Sequence, residues 1–287
     1  MNSSHKGMLY MLLSAFLLST SGIFIKIVHA EPLAIVALRS GIAGLTLLPF
    51  LRIKQIKFHT PTIIYIFAYA VMVVTFVTAT KYTTSANTVA LQYTGSLYLY
   101  IYSVFTKKIK VQFGNVIPML FILIGISAFL LEPNKGHSLT GNILAIISGI
   151  SLATMFGILP KIKDISPVSL VCISNLTTFI VVFPLILSLN YNIALNIQGW
   201  TALIYLGVVQ VALSYILNAK GVQLISPLAA MVLSMVDAVM NPIWVFIFIG
   251  ETPTNYGFVG ITMILGAVLL NVYQQICSEK NTYLCER

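Results

Sequence analysis

Residues 7–26 read GMLYMLLSAFLLSTSGIFIK, and residues 141–161 read GNILAIISGISLATMFGILPK. Aligned on their first glycines, Gly7 falls over Gly141, Ser14 over Ser148 and Thr20 over Thr154. Working outward, Pro32 falls over Pro167 and Pro49 over Pro184. FVTATKYTTSAN from Phe76 echoes YILNAKGVQLIS from Tyr215, with Lys81 over Lys220, and Gly125 in LIGI matches Gly266 in ILGA. Self-similarity at a nearly constant offset marks a duplication. The chain therefore reads as two copies of one unit, residues 1–135 and 136–275, followed by a tail, 276–287.

The content of each unit follows from composition. The chain is 58% hydrophobic and 8% charged, with mean hydropathy +0.95, whereas about a quarter of the residues of a soluble domain are charged. A helix crosses the hydrocarbon core with about 20 apolar residues. Ten such runs are present: Gly7 to Val28, Pro32 to Leu51, Ile63 to Thr80, Ser85 to Phe105, Phe113 to Leu131, Thr140 to Leu159, Val168 to Leu189, Trp200 to Leu217, Pro227 to Ile249 and Tyr256 to Tyr273. The expected fold is all-α, a polytopic membrane protein of ten transmembrane helices. Five helices per unit is odd, so the second copy enters the membrane from the opposite side and the two repeats are inverted. Such an architecture places a site near the midplane between the halves and suits alternating access.

The net charge of +9 carries no nucleic-acid signal, because the basic residues cluster in short loops, where they orient helices. With the N-terminus inside, Lys6, Arg52, Lys54, Lys57, Lys107, Lys108, Lys110, Lys161, Lys163, Lys220, Lys280 and Arg287 fall on the inner side. Only Lys26, Lys81 and Lys135 fall outside, and Arg39 lies within the second run. Both termini are thus expected in the cytoplasm, with the protein multi-pass in the inner or plasma membrane. The N-terminal run has no small-x-small cleavage site and reads as a retained helix rather than a signal peptide. Cys172, Cys277 and Cys285 form no CxxC pair and read as unpaired thiols.

The ninth run, LAAMVLSMVDAVMNPIWVFIFIGE from Leu228 to Glu251, carries the polar residues that invite chemistry. At roughly 1.5 Å of rise per residue, Asp237 lies about 14 Å from one end and about 21 Å from the other, a depth where an ionisable group is costly. Ser234, Asp237, Asn241 and Trp244 recur at three- and four-residue spacing on one stripe. On the fourth run Thr88, Gln92, Ser96 and Ser103 form a matching stripe, so Gln92 and Ser96 are the expected hydrogen-bonding neighbours of Asp237 and Asn241. Both stripes read either as pathway lining or as interhelical glue. Asp237 would contact a cationic or zwitterionic ligand, carry a coupling proton, or be paired within the bundle.

Arg39 reads as snorkelling to the interface, as a partner of Asp237, or as a fork for a substrate carboxylate. Its counterpart in the repeat is Ser174. Tyr93 and Trp244 are candidate cavity residues able to face an ammonium group, while Tyr98, Tyr100 and Tyr102 are as well explained by interfacial belting. Ser14, Thr75, Thr78, Ser151, Gln210 and Ser214 are further candidate lining. Pro242 removes a backbone hydrogen bond inside the ninth helix, which makes it a candidate hinge or a static kink.

Enzyme signatures are missing. There is no HExxH, no acidic cluster, no GxGD and no phosphate-binding GxxxxGK[ST]; the four histidines lie in loops or tails, and only one carboxylate lies deep in a run. The reading is therefore not an enzyme, with no metal and no cofactor.

These residues resemble the drug/metabolite transporter superfamily and its EamA-type permeases. The carriers of the resemblance are G-x6-S opening each half (Gly7 to Ser14, Gly141 to Ser148), Arg39 in PLAIVALRSGIAG, TTSANTVALQYTGSLY on the fourth run and DAVMNPIWVFIFIGETPT on the ninth. The resemblance implies ten helices, with the first, third, fourth, sixth, eighth and ninth around a central cavity, and export or uptake of small metabolites. The chain departs from the family pattern in having Ser96 where Pro is frequent, Asp237 where Glu is frequent, and TKKIK where a second glutamate would end the fourth helix. The expected function is secondary active transport of a small metabolite such as an amino acid or amine, with membrane lipid as surroundings. A channel or scaffold without coupled transport is the alternative.

Overall fold

The computed structural model describes residues 3–52, 58–95, 97–98, 113–130, 138–191, 193, 195–225, 233, 236–252, 254–267 and 269–270. Apart from the connecting loops these are helical, with no strand among the described residues. In chain order the helices are α1 (Ser3–Ser19), α2 (Ser21–Ile27), α3 (Pro32–Leu47), α4 (Thr60–Tyr82), α5 (Ser85–Tyr93) and α6 (Phe113–Leu130). There follow α7 (Leu139–Ile158), α8 (Pro167–Ser188), α9 (Ile197–Ile204), a π-helical stretch (Tyr205–Leu213), α10 (Ser214–Gly221), α11 (Val236–Ile249) and α12 (Asn255–Ala267). Among the described residues six continuous helical stretches are long and apolar enough to cross a membrane: His5–Ile27, Pro32–Phe50, Thr60–Tyr82, Leu139–Lys161, Pro167–Ser188 and Ile197–Gly221. Two more, α11 and α12, are apolar but shorter.

Local chemistry sets the helix starts. Pro32 and Pro167 begin α3 and α8, where a missing N–H costs nothing and φ is already helical. The Thr84, Ser166 and Asn196 side chains accept from the N–H groups of Asn87, Ser169 and Gly199 and so cap α5, α8 and α9. Within the spans, hydroxyls turn inward on their own helix. Thr75 and Thr78 Oγ1 donate to the Val71 and Val74 carbonyls at 2.7 Å each, which satisfies them without a neighbour. These two threonines are therefore occupied by their own backbone.

The helices pack chiefly as α4 on α7, α3 on α8, α1 on α10 and α3 on the π stretch. Where backbones meet closely the sequence is small. A Cβ on Gly95, just past α5, would sit 2.6 Å from the Gly149 carbonyl, and one on Gly149 would sit 2.7 Å from the Gln92 carbonyl. Inside, the largest apolar cluster joins Ile35 and Val36 of α3, Tyr65 and Tyr69 of α4, Leu170 of α8 and Leu206 of the π stretch. Outside, Phe67, Ile180, Phe248 and Phe258 are 66–71% exposed, an apolar periphery suited to hydrocarbon rather than water.

Candidate transport site

The site is built where α11 crosses α2 and α5, and where α3 faces α4 and α10. Its closest contact is a crossing without side chains on one partner: a Cβ on Gly22 of α2 would collide with Ser85 Oγ and stand 2.8 Å from both Asn241 Oδ1 and Val245 Cγ2. Glycine there lets three helices meet, and their polar groups then pair. Asn241, fully buried, accepts from Ser85 Oγ at 2.8 Å and donates through Nδ2 to Ser21 Oγ at 3.2 Å. One turn on, Trp244 Nε1 donates to Ser19 Oγ at 3.0 Å, and its ring meets Phe16 edge-on at 5.5 Å.

Beyond Asn241 the chain closes one end of the bundle. Gly250 has φ +73°, a left-handed conformation that favours glycine, and its N–H bonds the Phe246 carbonyl at the end of α11. The turn brings Glu251 back over α5, where Oε1 accepts from the Ser85 N–H at 3.0 Å while Oε2 pairs with Lys26 Nζ at 3.3 Å. Lys26 also donates to the Thr83 carbonyl at 2.9 Å, and Lys81 donates to the Val28 carbonyl at 2.5 Å. Two lysines and one glutamate thus tie α2, the α4–α5 junction and the end of α11 together. Neither Lys26 nor Glu251 was singled out by the sequence as a site residue. The signal was available in the GE pair, whose glycine permits the turn.

Asp237, in the first turn of α11, is half-buried and is reached by Tyr93 of α5, whose hydroxyl donates to Oδ2 at 3.5 Å. The structure therefore brings Asp237, Asn241, Tyr93 and Trp244 together. Gln92 departs from expectation: its Nε2 donates to Ser148 Oγ of α7 at 2.7 Å. The α5 face that carries Gln92 looks toward α7, because the Gly95–Gly149 crossing draws those two backbones into contact. Ser96 and Ser234 lie outside the described residues. The α11 helix is continuous through Pro242.

Arg39 does not snorkel. It is 7% exposed, inside the bundle, within electrostatic reach of Tyr69 on α4 and Tyr215 on α10. Its Nη1 has no hydrogen-bond partner, and among the described residues the ion pairs are Lys26–Glu251 and His59–Asp164, so no carboxylate neutralises it directly. Tyr215 is in electrostatic reach of both Arg39 and Asp237, and Tyr69 accepts from Asn175 Nδ2 at 2.8 Å. Tyr65, Tyr69, Tyr215 and Asn175 were not singled out from the sequence, where Tyr93 was the one tyrosine taken as a candidate cavity residue. Tyr69 and Asn175 stand well inside their runs, which was the signal for those two; Tyr65 and Tyr215 stand close to run ends and carried none. Of the smaller candidates, Ser14 donates to the Ser214 carbonyl at 2.8 Å, Ser151 is buried, and Gln210 Oε1 is buried without a partner.

Comparison with known proteins decides the family. The model of the EamA-like transporter family matches residues 5–131 and residues 139–273. The chain belongs to the EamA-like transporter family. It is 24% identical over 260 residues to an uncharacterized transporter of Archaeoglobus fulgidus, covering 90% of this chain and 93% of that one. It also matches a protein of known crystal structure with a TM-score of 0.67 at 16% identity, covering 94% of this chain and 97% of the other, which shows a shared fold. Together with the apolar spans, membership makes this EamA-like chain a multi-pass membrane transporter.

Proposed function

We propose that the protein is a secondary active carrier of a small metabolite such as an amino acid or amine, working by alternating access between two inverted five-helix repeats. The halves are residues 1–135 and 136–275, with ten transmembrane helices in all and both termini in the cytoplasm. The observation that carries the reading is the pairing across the halves at mid-bundle: Tyr93 of the first half donates to Asp237 of the second. An intramembrane carboxylate between repeats is where carriers of this plan hold substrate or a coupling ion.

The packing pairs favour the inverted repeat. Exchanging the halves turns α1 on α10 into α7 on α4, and leaves α3 on α8 as itself. The same exchange relates Gly7, which abuts Leu224 and Ile225, to Gly141, which abuts Tyr82 and Thr83. The two stretches matched by the family also part near residue 135. With the N-terminus inside, the end closed by Lys26, Lys81 and Glu251 is the external one, so the arrangement is closed outward.

The test is counterflow in proteoliposomes, with substrates first found by a thermal-shift screen of metabolites on the purified protein. Saturable counterflow that Asp237→Asn abolishes supports the carrier. Unsaturable flux, or normal counterflow and pH dependence in Asp237→Asn, overturns it.

A further inference from the structure

We infer that the bundle end opposite the Lys26–Glu251 tie carries a binding site for the phosphate of an anionic phospholipid, seated on Lys161 and Lys163 in a recess between α4 and the α7–α8 connection. Binding here is read without transport, so it stands or falls apart from the carrier reading. α4 runs from Thr60 to Tyr82, about 34 Å at 1.5 Å per residue. Its start therefore lies a full helix length from Lys81 and the closed end.

At that start the recess is lined by His59 and Thr62 from the head of α4, and by Lys161, Lys163 and Asp164 from the segment after α7. The packing of α4 on α7 brings the two segments to one place. Two contacts then hold them there: His59 Nε2 and Asp164 Oδ2 approach at 3.6 Å, and the Arg52 N–H, before α4, donates to Ser169 Oγ in the first turn of α8 at 3.2 Å.

The charge of the recess is not balanced. Among the described residues the ion pairs are Lys26–Glu251 and His59–Asp164, so neither Lys161 nor Lys163 enters one. Asp164 is the one carboxylate in the lining, and it faces His59. Two lysines against one carboxylate leave the recess net positive even with His59 neutral. The head of α4 adds the positive end of a helix dipole, and an anion answers both.

The surface beside the recess selects a lipid over a free anion. Phe58, next to His59, is 61% exposed, and Ile63, in the first turn of α4, is 56% exposed. They stand where the charged connection gives way to the apolar span Thr60–Tyr82, which in a membrane is the headgroup level. Acyl chains lie along Phe58 and Ile63 while the phosphate meets the lysines; a free phosphate uses only the second half of that surface. Basic pockets between spans on the cytoplasmic side take anionic headgroups in this way, and with the N-terminus inside this end is the cytoplasmic one.

The experiment offers the full-length protein, purified in a neutral detergent, four probes one at a time: phosphatidylglycerol, phosphatidylcholine, glycerol phosphate and inorganic phosphate. Native mass spectrometry reads retention, and thermal unfolding reads the midpoint. Phosphatidylglycerol is expected to be retained and to raise the midpoint, and the other three to do neither. Lys161→Gln combined with Lys163→Gln is expected to weaken that retention by about tenfold or more, through the loss of two interfacial charges. Lys6→Gln combined with Lys220→Gln removes the same charge from the same end of the bundle, where Gly221 abuts Gly7, and is expected to leave retention unchanged. Size exclusion and the lipid-free midpoint verify that both double variants fold. Equal retention of phosphatidylcholine overturns the inference, as does unchanged retention in the recess variant or an equal loss in the Lys6 and Lys220 variant. A midpoint raised as far by inorganic phosphate or glycerol phosphate also overturns it, since the ligand is then a free anion.

Discussion

The polar residues inside the bundle fall into two layers that differ in how completely they are satisfied. Around Asn241 both amide atoms are engaged, by Ser85 and Ser21, and the neighbouring Trp244 and Glu251 are engaged as well. Around Arg39 and Asp237 the contacts are long or missing: 3.5 Å from Tyr93 to Asp237, and none to Arg39 Nη1. A satisfied buried group holds helices together, whereas an unsatisfied one costs free energy until something else arrives. The difference divides the candidate site into a tightly paired layer that holds the helices together and a loosely paired one open to a further partner.

That separation is open to attack, most strongly at its unsatisfied layer. Asp237→Asn is expected to lower counterflow at least tenfold, the factor given by about 1.4 kcal/mol of lost binding, with no fall in thermal stability; a parallel loss of stability would place Asp237 with the scaffold. In the satisfied layer the signs reverse. Asn241→Ala strands the hydroxyls of Ser21 and Ser85 and is expected to destabilise by about 1–3 kcal/mol, read as a shift in the unfolding midpoint of the detergent-purified protein. Gly22→Ala forces a methyl against Ser85 and Asn241, an overpacking expected to cost about 1–3 kcal/mol. Glu251→Gln weakens the tie to Lys26 and is expected to raise hydrogen exchange across residues 83–92; unchanged exchange would remove that tie from what closes this end of the bundle. The smallest effect belongs to the opposite end, where His59 and Asp164 approach at 3.6 Å with side chains 64% and 52% exposed. His59→Ala is expected to change stability by less than about 0.5 kcal/mol.

How much of this was legible in advance differs by layer too. Apolar runs are properties of one segment at a time, so six of the ten expected spans, those found at full length among the described residues, could be read directly, and the stripe of Asp237, Asn241 and Trp244 follows from helical spacing alone. Which helix faces which is a property of pairs. Gln92 shares a face with Thr88 by spacing, yet its amide reaches Ser148 because two glycines pull α5 against α7. The tyrosines near Arg39 were obscured for a related reason: amphipathic rings suit a membrane interface and a polar cavity alike, and only neighbouring helices decide between them. The π stretch left no sequence mark that distinguishes it from the α-helix on either side.

The Gly95–Gly149 crossing has a mechanical consequence. Where two backbones touch with no side chain between them, no rotamer is available to absorb a displacement. The crossing acts as a pin between a helix of the first unit and a helix of the second, with Tyr93 two residues from it. A displacement of α7 at the crossing is therefore passed to α5, and through Tyr93 to the Asp237 contact, with no side chain between the two backbones to absorb it.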